Sequence, residues 1–170
     1  MTALASPGSQ RFQTANPYEK EFGYSRAVRR GPFIAVSGTT SIDPVSGQLR
    51  YPGSAYDQAR AIFAEIVRAV EGLGGTANDI IRVRMFVMHG SDADSIGKAL
   101  KEALGEVGPA ATMIVGAQFV SSEMLVEIEA DAVTMVLTSG IKPSVNKHVC
   151  VRIYPVDDYG WTGVKSIIRD

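Results

Sequence analysis

Hydrophobic and polar positions alternate most cleanly in "MLVEIEADAV", residues 124–133. Val126, Ile128, Ala130 and Ala132 fall on one side, and Glu127, Glu129 and Asp131 on the other. A period of two is that of a strand, whose successive side chains face opposite ways. One face is apolar, and the other carries three carboxylates in a row. "IIRVRMFVM" repeats the pattern, with Ile81, Val83, Met85 and Val87 opposite Arg82 and Arg84. Between Ser54 and Leu73 the period changes. Ala59, Ile62, Phe63, Ile66, Val67, Val70 and Leu73 recur at steps of three and four, which predicts an amphipathic helix. Ser54 is placed to cap its start, and Gly74-Gly75 to stop it. A second helix starts at Asp92 or Asp94 and runs to Leu104, with Ile96, Leu100 and Leu104 on one face. "YSRAVRRG" and "PFIAVSGTT" read as two strands about the turn Arg30-Gly31-Pro32, and "ATMIVGAQFV" as a further strand.

The predicted order is β-β-α-β-α-β-β. It describes an α+β fold, a mixed sheet with two helices on one face. Residues 1–16 are small and polar, interrupted by Pro7, and are expected to be a flexible arm. Residues 17–136 form the domain, and 137–170 an extension. Within that extension "HVCVRIYPV" alternates like a short strand amid polar, turn-rich sequence. An added edge strand and a largely unstructured tail both remain open.

Composition narrows the class. A chain of 170 residues with 45% hydrophobic and 21% charged residues fits one ordinary globular domain. A net charge of −1 gives no electrostatic footprint for nucleic acid. No apolar run approaches the roughly 18 residues of a membrane span. The opening "MTALASPGSQRFQ" has no apolar signal core. The expectation is a soluble cytoplasmic protein without nucleic-acid or membrane partners. Its single cysteine, Cys150, cannot staple the fold or build a cysteine-based zinc site.

Candidate chemistry centres on the acidic face. Carboxylates two residues apart on a strand stand roughly 6–7 Å apart. One strand therefore cannot close around a metal ion, whose oxygen ligands lie about 2–2.6 Å away. The two histidines, His89 and His148, have no partners at ligand spacing, so neither a metal nor another cofactor is expected. The acidic face is either solvated or lines a polar interface or pocket. His89 ends a strand, where pockets often form, although a lone histidine is more often structural or at the surface than catalytic. "SGTTS" can bind an anion or make a turn. Phosphate-loop and nucleophile-elbow patterns are absent from the sequence.

Five stretches together, "GYSRAV", "FIAVSGTT", "AYDQARAIFAEIVRAVEGLGGTANDIIRVRMFV", "GPAATMIVGAQFV" and "LVEIEADAV", resemble the Rid/YjgF family of small enamine/imine deaminases and their relatives. The resemblance implies a chorismate-mutase-like fold and a homotrimer with a cleft between each pair of subunits. It also implies that Glu127 reaches the cleft and positions an attacking water, beside Tyr24, Gly38 and Thr39. In the deaminases an arginine after Pro-Ala grips the substrate carboxylate. Here Pro109-Ala110 is followed by Ala111 and Thr112, Met113 takes the place of a cysteine, and Gly97 that of an asparagine. The departure implies a relative outside the deaminase subgroup. Its substrate would be a small, less acidic imine, enamine or cyclic metabolite, transformed by water or proton transfer. Glu127 would act as base, Tyr24, Thr39 and His89 as hydrogen-bonding groups, and Ala111, Thr112 and Met113 as lining. The alternative is a non-catalytic ligand-binding or chaperone-like trimer. Ribonuclease activity is disfavoured by the near-neutral charge and the lack of a histidine pair.

Overall fold

The computed structural model describes residues 8–134. The period-two segments become strands: β1 (Gln10–Phe12), β2 (Ala27–Arg30), β3 (Phe33–Thr39), β4 (Ile80–Val87), β5 (Ala110–Val115) and β6 (Val126–Val133). The helices are α1 (Pro17–Phe22), α2 (Ala55–Gly72) and α3 (Ala93–Leu104). All six strands join one sheet in the order β1-β2-β3-β6-β4-β5. β4 and β5 run parallel, and the other neighbours pair antiparallel. The last of the described strands thus lies in the middle of the sheet, hydrogen-bonded to β3 on one side and β4 on the other.

That central place follows from the composition of β6. Val126, Ile128, Ala130 and Ala132 are at most 1% exposed. They meet the α2 stripe of Ile62, Phe63, Ile66 and Val70, and the core continues through Ile96 and Leu104 of α3. Each large side chain buried in this way contributes about 1.5–3 kcal/mol. α2 begins as the sequence predicts, with the Ser54 hydroxyl accepting the Asp57 amide at its first turn. It ends where Gly75 N–H donates to the Val70 carbonyl.

Three local expectations differ from the structure. The arm expected over residues 1–16 is part of the sheet from Gln10 onward, because β1 pairs with β2 and Phe12 packs on the end of α2. Gly72 makes room for that ring: a Cβ there would come within 2.4 Å of it. A short helix then follows, capped by the Asn16 side chain, which accepts the Tyr18 amide. Second, Ile81 is half exposed rather than facing the core. The β4–β6 register shifts between Ile80 and Arg82, and this bulge hands the buried position to Ile80. Third, Ala99, not expected on that face, is fully buried between Ile96 and Leu104, while Leu100 packs against the core as expected, partly buried. Residues 137–170, where an extension was expected, lie outside the described residues.

α2 and α3 cover one face of the sheet. Among the described residues the opposite face is left open, and the three carboxylates of β6 lie on it.

Candidate functional site

Two of those three carboxylates share one arginine. Arg84, facing them from β4, donates from Nη1 to Glu129 Oε1 at 2.6 Å and from Nη2 to Asp131 Oδ2 at 3.2 Å. A guanidinium that bridges two carboxylates explains how one strand face holds Glu129 and Asp131 without strong repulsion. Glu127 makes no ion pair among the described residues. It is half-buried, and its pKa is raised above the ordinary carboxylate value. Burial is the largest cause, the positive charge of Arg26 opposes it, and the neighbouring Glu129 adds to it.

The backbone of β3 shapes the place where this carboxylate sits. Val36 pairs with Ala130, but the next partner of Ile128 is Thr39, so β3 advances three residues against two on β6. The bulge falls at Ser37-Gly38. A Cβ on Gly38 would lie 2.0 Å from Glu127 Oε1. The carboxylate is therefore seated directly on glycine backbone, and no other residue fits there without displacing it.

Arg26 ties the surrounding groups together. Its side chain is 5% exposed. Nη1 donates to the Gly38 carbonyl at 2.8 Å and to Thr39 Oγ1 at 2.9 Å. Nη2 donates to the Tyr24 hydroxyl at 3.2 Å, and Nε to Glu19 Oε1 at 3.3 Å. Glu19, 2% exposed, also accepts from the Thr14 amide and hydroxyl, both at 2.8 Å. Thr39 in turn donates to the Ser37 carbonyl at 2.7 Å.

Four predicted residues thus come together: Tyr24, Gly38, Thr39 and Glu127. Arg26 and Glu19 are additions that the sequence reasoning missed. One signal was present, because Arg26 stands two residues after Tyr24 in an extended segment and so shares its side. The other predicted residues do not join this cluster within one chain. His89 is exposed, follows the end of β4, and makes no side-chain hydrogen bond among the described residues. Ala111 pairs with Val83 and Met113 with Met85, so both lie on the helix-covered face, Met113 packing against the core. Thr112 pairs with Arg84 and shares the open face with Glu127.

Charge limits what the cluster can hold. Arg26 is matched by Glu19, and Arg84 by Glu129 and Asp131. Arg82 lies four residues from Phe86, the register partner of Glu127, about 13 Å along the strand. No unpaired cation stands beside Glu127 among the described residues. The cluster offers a carboxyl with a high proton affinity, a phenol and a threonine hydroxyl, a set suited to moving protons on an uncharged molecule. Among the described residues no three His, Cys, Asp or Glu side chains converge as metal ligands, and no helix is long and apolar enough to cross a membrane.

Comparison with known proteins gives the family and the fold. The family model described as Endoribonuclease L-PSP matches residues 14–134. An uncharacterized protein of Streptomyces coelicolor is 34% identical over 130 residues, spanning 76% of this chain and 95% of that protein. A 2-iminobutanoate/2-iminopropanoate deaminase of Dermatophagoides farinae is 27% identical over 107 residues, spanning 63% of this chain and 82% of that one. Among solved structures, a YjgF/YER057c/UK114 family member from Mycobacterium tuberculosis superimposes with a TM-score of 0.65 at 30% identity, covering 75% of this chain and 100% of that chain.

Proposed function

Because the chain belongs to the endoribonuclease L-PSP family, the Rid/YjgF group, we propose that it hydrolyses small uncharged imines or enamines, with Glu127 as the base that activates water. One observation carries the reading: among the described residues, Glu127 alone of the three carboxylates on β6 is left without an ion pair, seated on Gly38 whose carbonyl Arg26 holds.

The steps follow from the geometry. Water bound to the Glu127 carboxylate adds through oxygen to the imine carbon, and the proton it gives up passes by way of Glu127 to the imine nitrogen. The addition product carries a hydroxyl and an amine on one carbon. Glu127 then takes the hydroxyl proton and passes it to the amine nitrogen, the C–N bond breaks, ammonia leaves, and the carbonyl forms. A carboxyl whose pKa is raised by burial takes up a proton more readily than an ordinary carboxylate, which favours its role as the base. The Tyr24 hydroxyl, held by Arg26, hydrogen-bonds the reacting nitrogen or oxygen. No cofactor is needed.

The substrate class follows from charge. The substrates in the name of the Dermatophagoides relative carry a carboxylate. Here the place after Pro109-Ala110 is taken by Ala111, and the guanidinium of Arg26 is already paired with Glu19. A substrate carboxylate beside Glu127 would meet like charge and no free cation. The functional unit in this reading is a cytoplasmic homotrimer closed through the open sheet face, where Phe33, Ile81 and Ile114 are exposed. Closure would bring the β5 edge of one subunit, with Ala111 and Met113, beside the Glu127 cluster of the next.

The test compares imines generated in place by an amine oxidase with imines generated by an amino-acid oxidase, read as loss of trappable imine. The uncharged imine should disappear about tenfold faster or more, about 1.4 kcal/mol of discrimination. Ala111→Arg should raise hydrolysis of the carboxylate-bearing imine. A wild-type preference for that imine would overturn the assignment. Saturable binding of uncharged imines without turnover would instead indicate a binding module.

A further inference from the structure

We infer that Arg26 is the positioning residue of the site: it fixes the seat of Glu127 and the phenol of Tyr24 at once, and the buried Glu19 holds it in that place. The inference deepens the reading of Glu127 as the base and rests on it.

The geometry is that of a hub. Four of the five N–H groups of a guanidinium are used, and each goes to a different part of the site. Two bonds fix the Gly38 carbonyl and Thr39 Oγ1, which define the bulge under the Glu127 carboxylate. One fixes the Tyr24 hydroxyl, and one the Glu19 carboxylate. Donation from Arg26 also orients the phenol, since a hydroxyl that accepts from a guanidinium must point its own proton elsewhere. Arg26 makes no ion pair with Glu127 itself. It acts on Glu127 through the backbone it holds and through its field.

Glu19 explains why a buried arginine is tolerated there. A guanidinium out of water needs a counter-charge and satisfied donors. Glu19 supplies the charge from α1, and Thr14 orients Glu19 with two hydrogen bonds. No side-chain polar atom buried among the described residues lacks a partner. Lysine in place of Arg26 would keep the charge but not the planar fork that reaches four acceptors.

The charged groups acting on Glu127 are Arg26 ahead of β2, which also holds the Tyr24 hydroxyl, and Glu129 on β6, itself bound by Arg84. They give the test a sign that general loosening cannot imitate. Loosening would hydrate Glu127 and bring its titration down toward the ordinary carboxylate value. Removal of the Arg26 charge with the seat still buried moves it up, because the one opposing influence is gone.

The experiment follows the Glu127 carboxyl by carbon-13 NMR in the full chain, with Glu127→Gln identifying the resonance. The same samples are read for imine hydrolysis and by circular dichroism. In Arg26→Gln the Glu127 midpoint should rise above wild type, and hydrolysis should fall about a hundredfold. In Arg26→Lys the midpoint should stay near wild type, because the charge remains, while hydrolysis still falls about tenfold, because the fork is lost. An unchanged or lowered midpoint in a folded Arg26→Gln protein would overturn the inference. Should Arg26→Gln fail to fold, full activity in Arg26→Lys would overturn it alone. The titration does not depend on Glu127 being the base: if Glu127→Gln stays active, the reading of Glu127 fails while the titration still reports on Arg26.

Discussion

The Glu127 carboxylate rests on a residue with no side chain, and this makes Gly38 the sharpest point of sensitivity at the residue scale. Gly38→Ala would put a methyl group at 2.0 Å from Oε1, on backbone that Arg26 holds from the other side. The carboxylate must swing away. We expect a folded protein with imine hydrolysis reduced about a hundredfold, checked by activity beside circular dichroism. Glu127 itself should cost stability where it is ionised. In mild acid, below the ordinary value of 4.5, it is neutral in folded and unfolded chains alike. As pH rises, the unfolded carboxyl ionises first, while the folded one keeps its proton to higher pH because burial disfavours the charge. Folding therefore loses stability between the two values and does not recover it above them. Glu127→Gln removes this loss, so its Tm should exceed wild type near neutrality and converge with it in mild acid. Thermal unfolding across that range checks both sign and window. Glu127 could be picked out of the sequence by resemblance. Its freedom from pairing could not, because the partner of Glu129 and Asp131, Arg84, is 45 and 47 residues away in the chain.

At the scale of elements, α2 is joined to the segment before β6 by one buried amide. Gln58 is fully buried. Its Nε2 donates to the Tyr51 carbonyl at 3.2 Å and the Glu123 carbonyl at 2.7 Å, and its Oε1 accepts the Leu125 amide at 2.9 Å. Gln58→Leu keeps the volume and leaves those backbone groups without partners. The expected loss is about 2–3 kcal/mol, measured by urea unfolding. The long periodic elements were legible because each buries one continuous face: α2 by its 3-4 stripe and β6 by strict alternation. β1 was not, since three residues carry no period, and Phe12 is recognisable only by the Gly72 it packs on. The β4 bulge escaped for a related reason. Ile80 and Ile81 are equally apolar, and the choice between them is made by pairing with β6.

For the whole molecule, the open sheet face is the feature that one chain leaves unresolved. It mixes the Arg84–Glu129–Asp131 ion pairs with exposed Phe33, Ile81 and Ile114, a composition suited to an interface with a polar centre. Phe33→Glu should dissociate the proposed trimer, read as a fall in mass by light scattering. The α+β order and the family were readable from the chain, because separate weak stretches agreed in order and spacing. The places of Ala111 and Met113 were not. Resemblance sets them beside Glu127, whereas strand register sets them on the opposite face of the same chain, and the proposed trimer would reconcile the two. The most direct measurement is hydrolysis of an uncharged imine by wild type and Glu127→Gln, with the mass of each sample determined alongside. The account predicts a variant of unchanged mass that has lost at least about a hundredfold in rate. A Glu127→Gln protein that hydrolyses the imine as fast as wild type would contradict it.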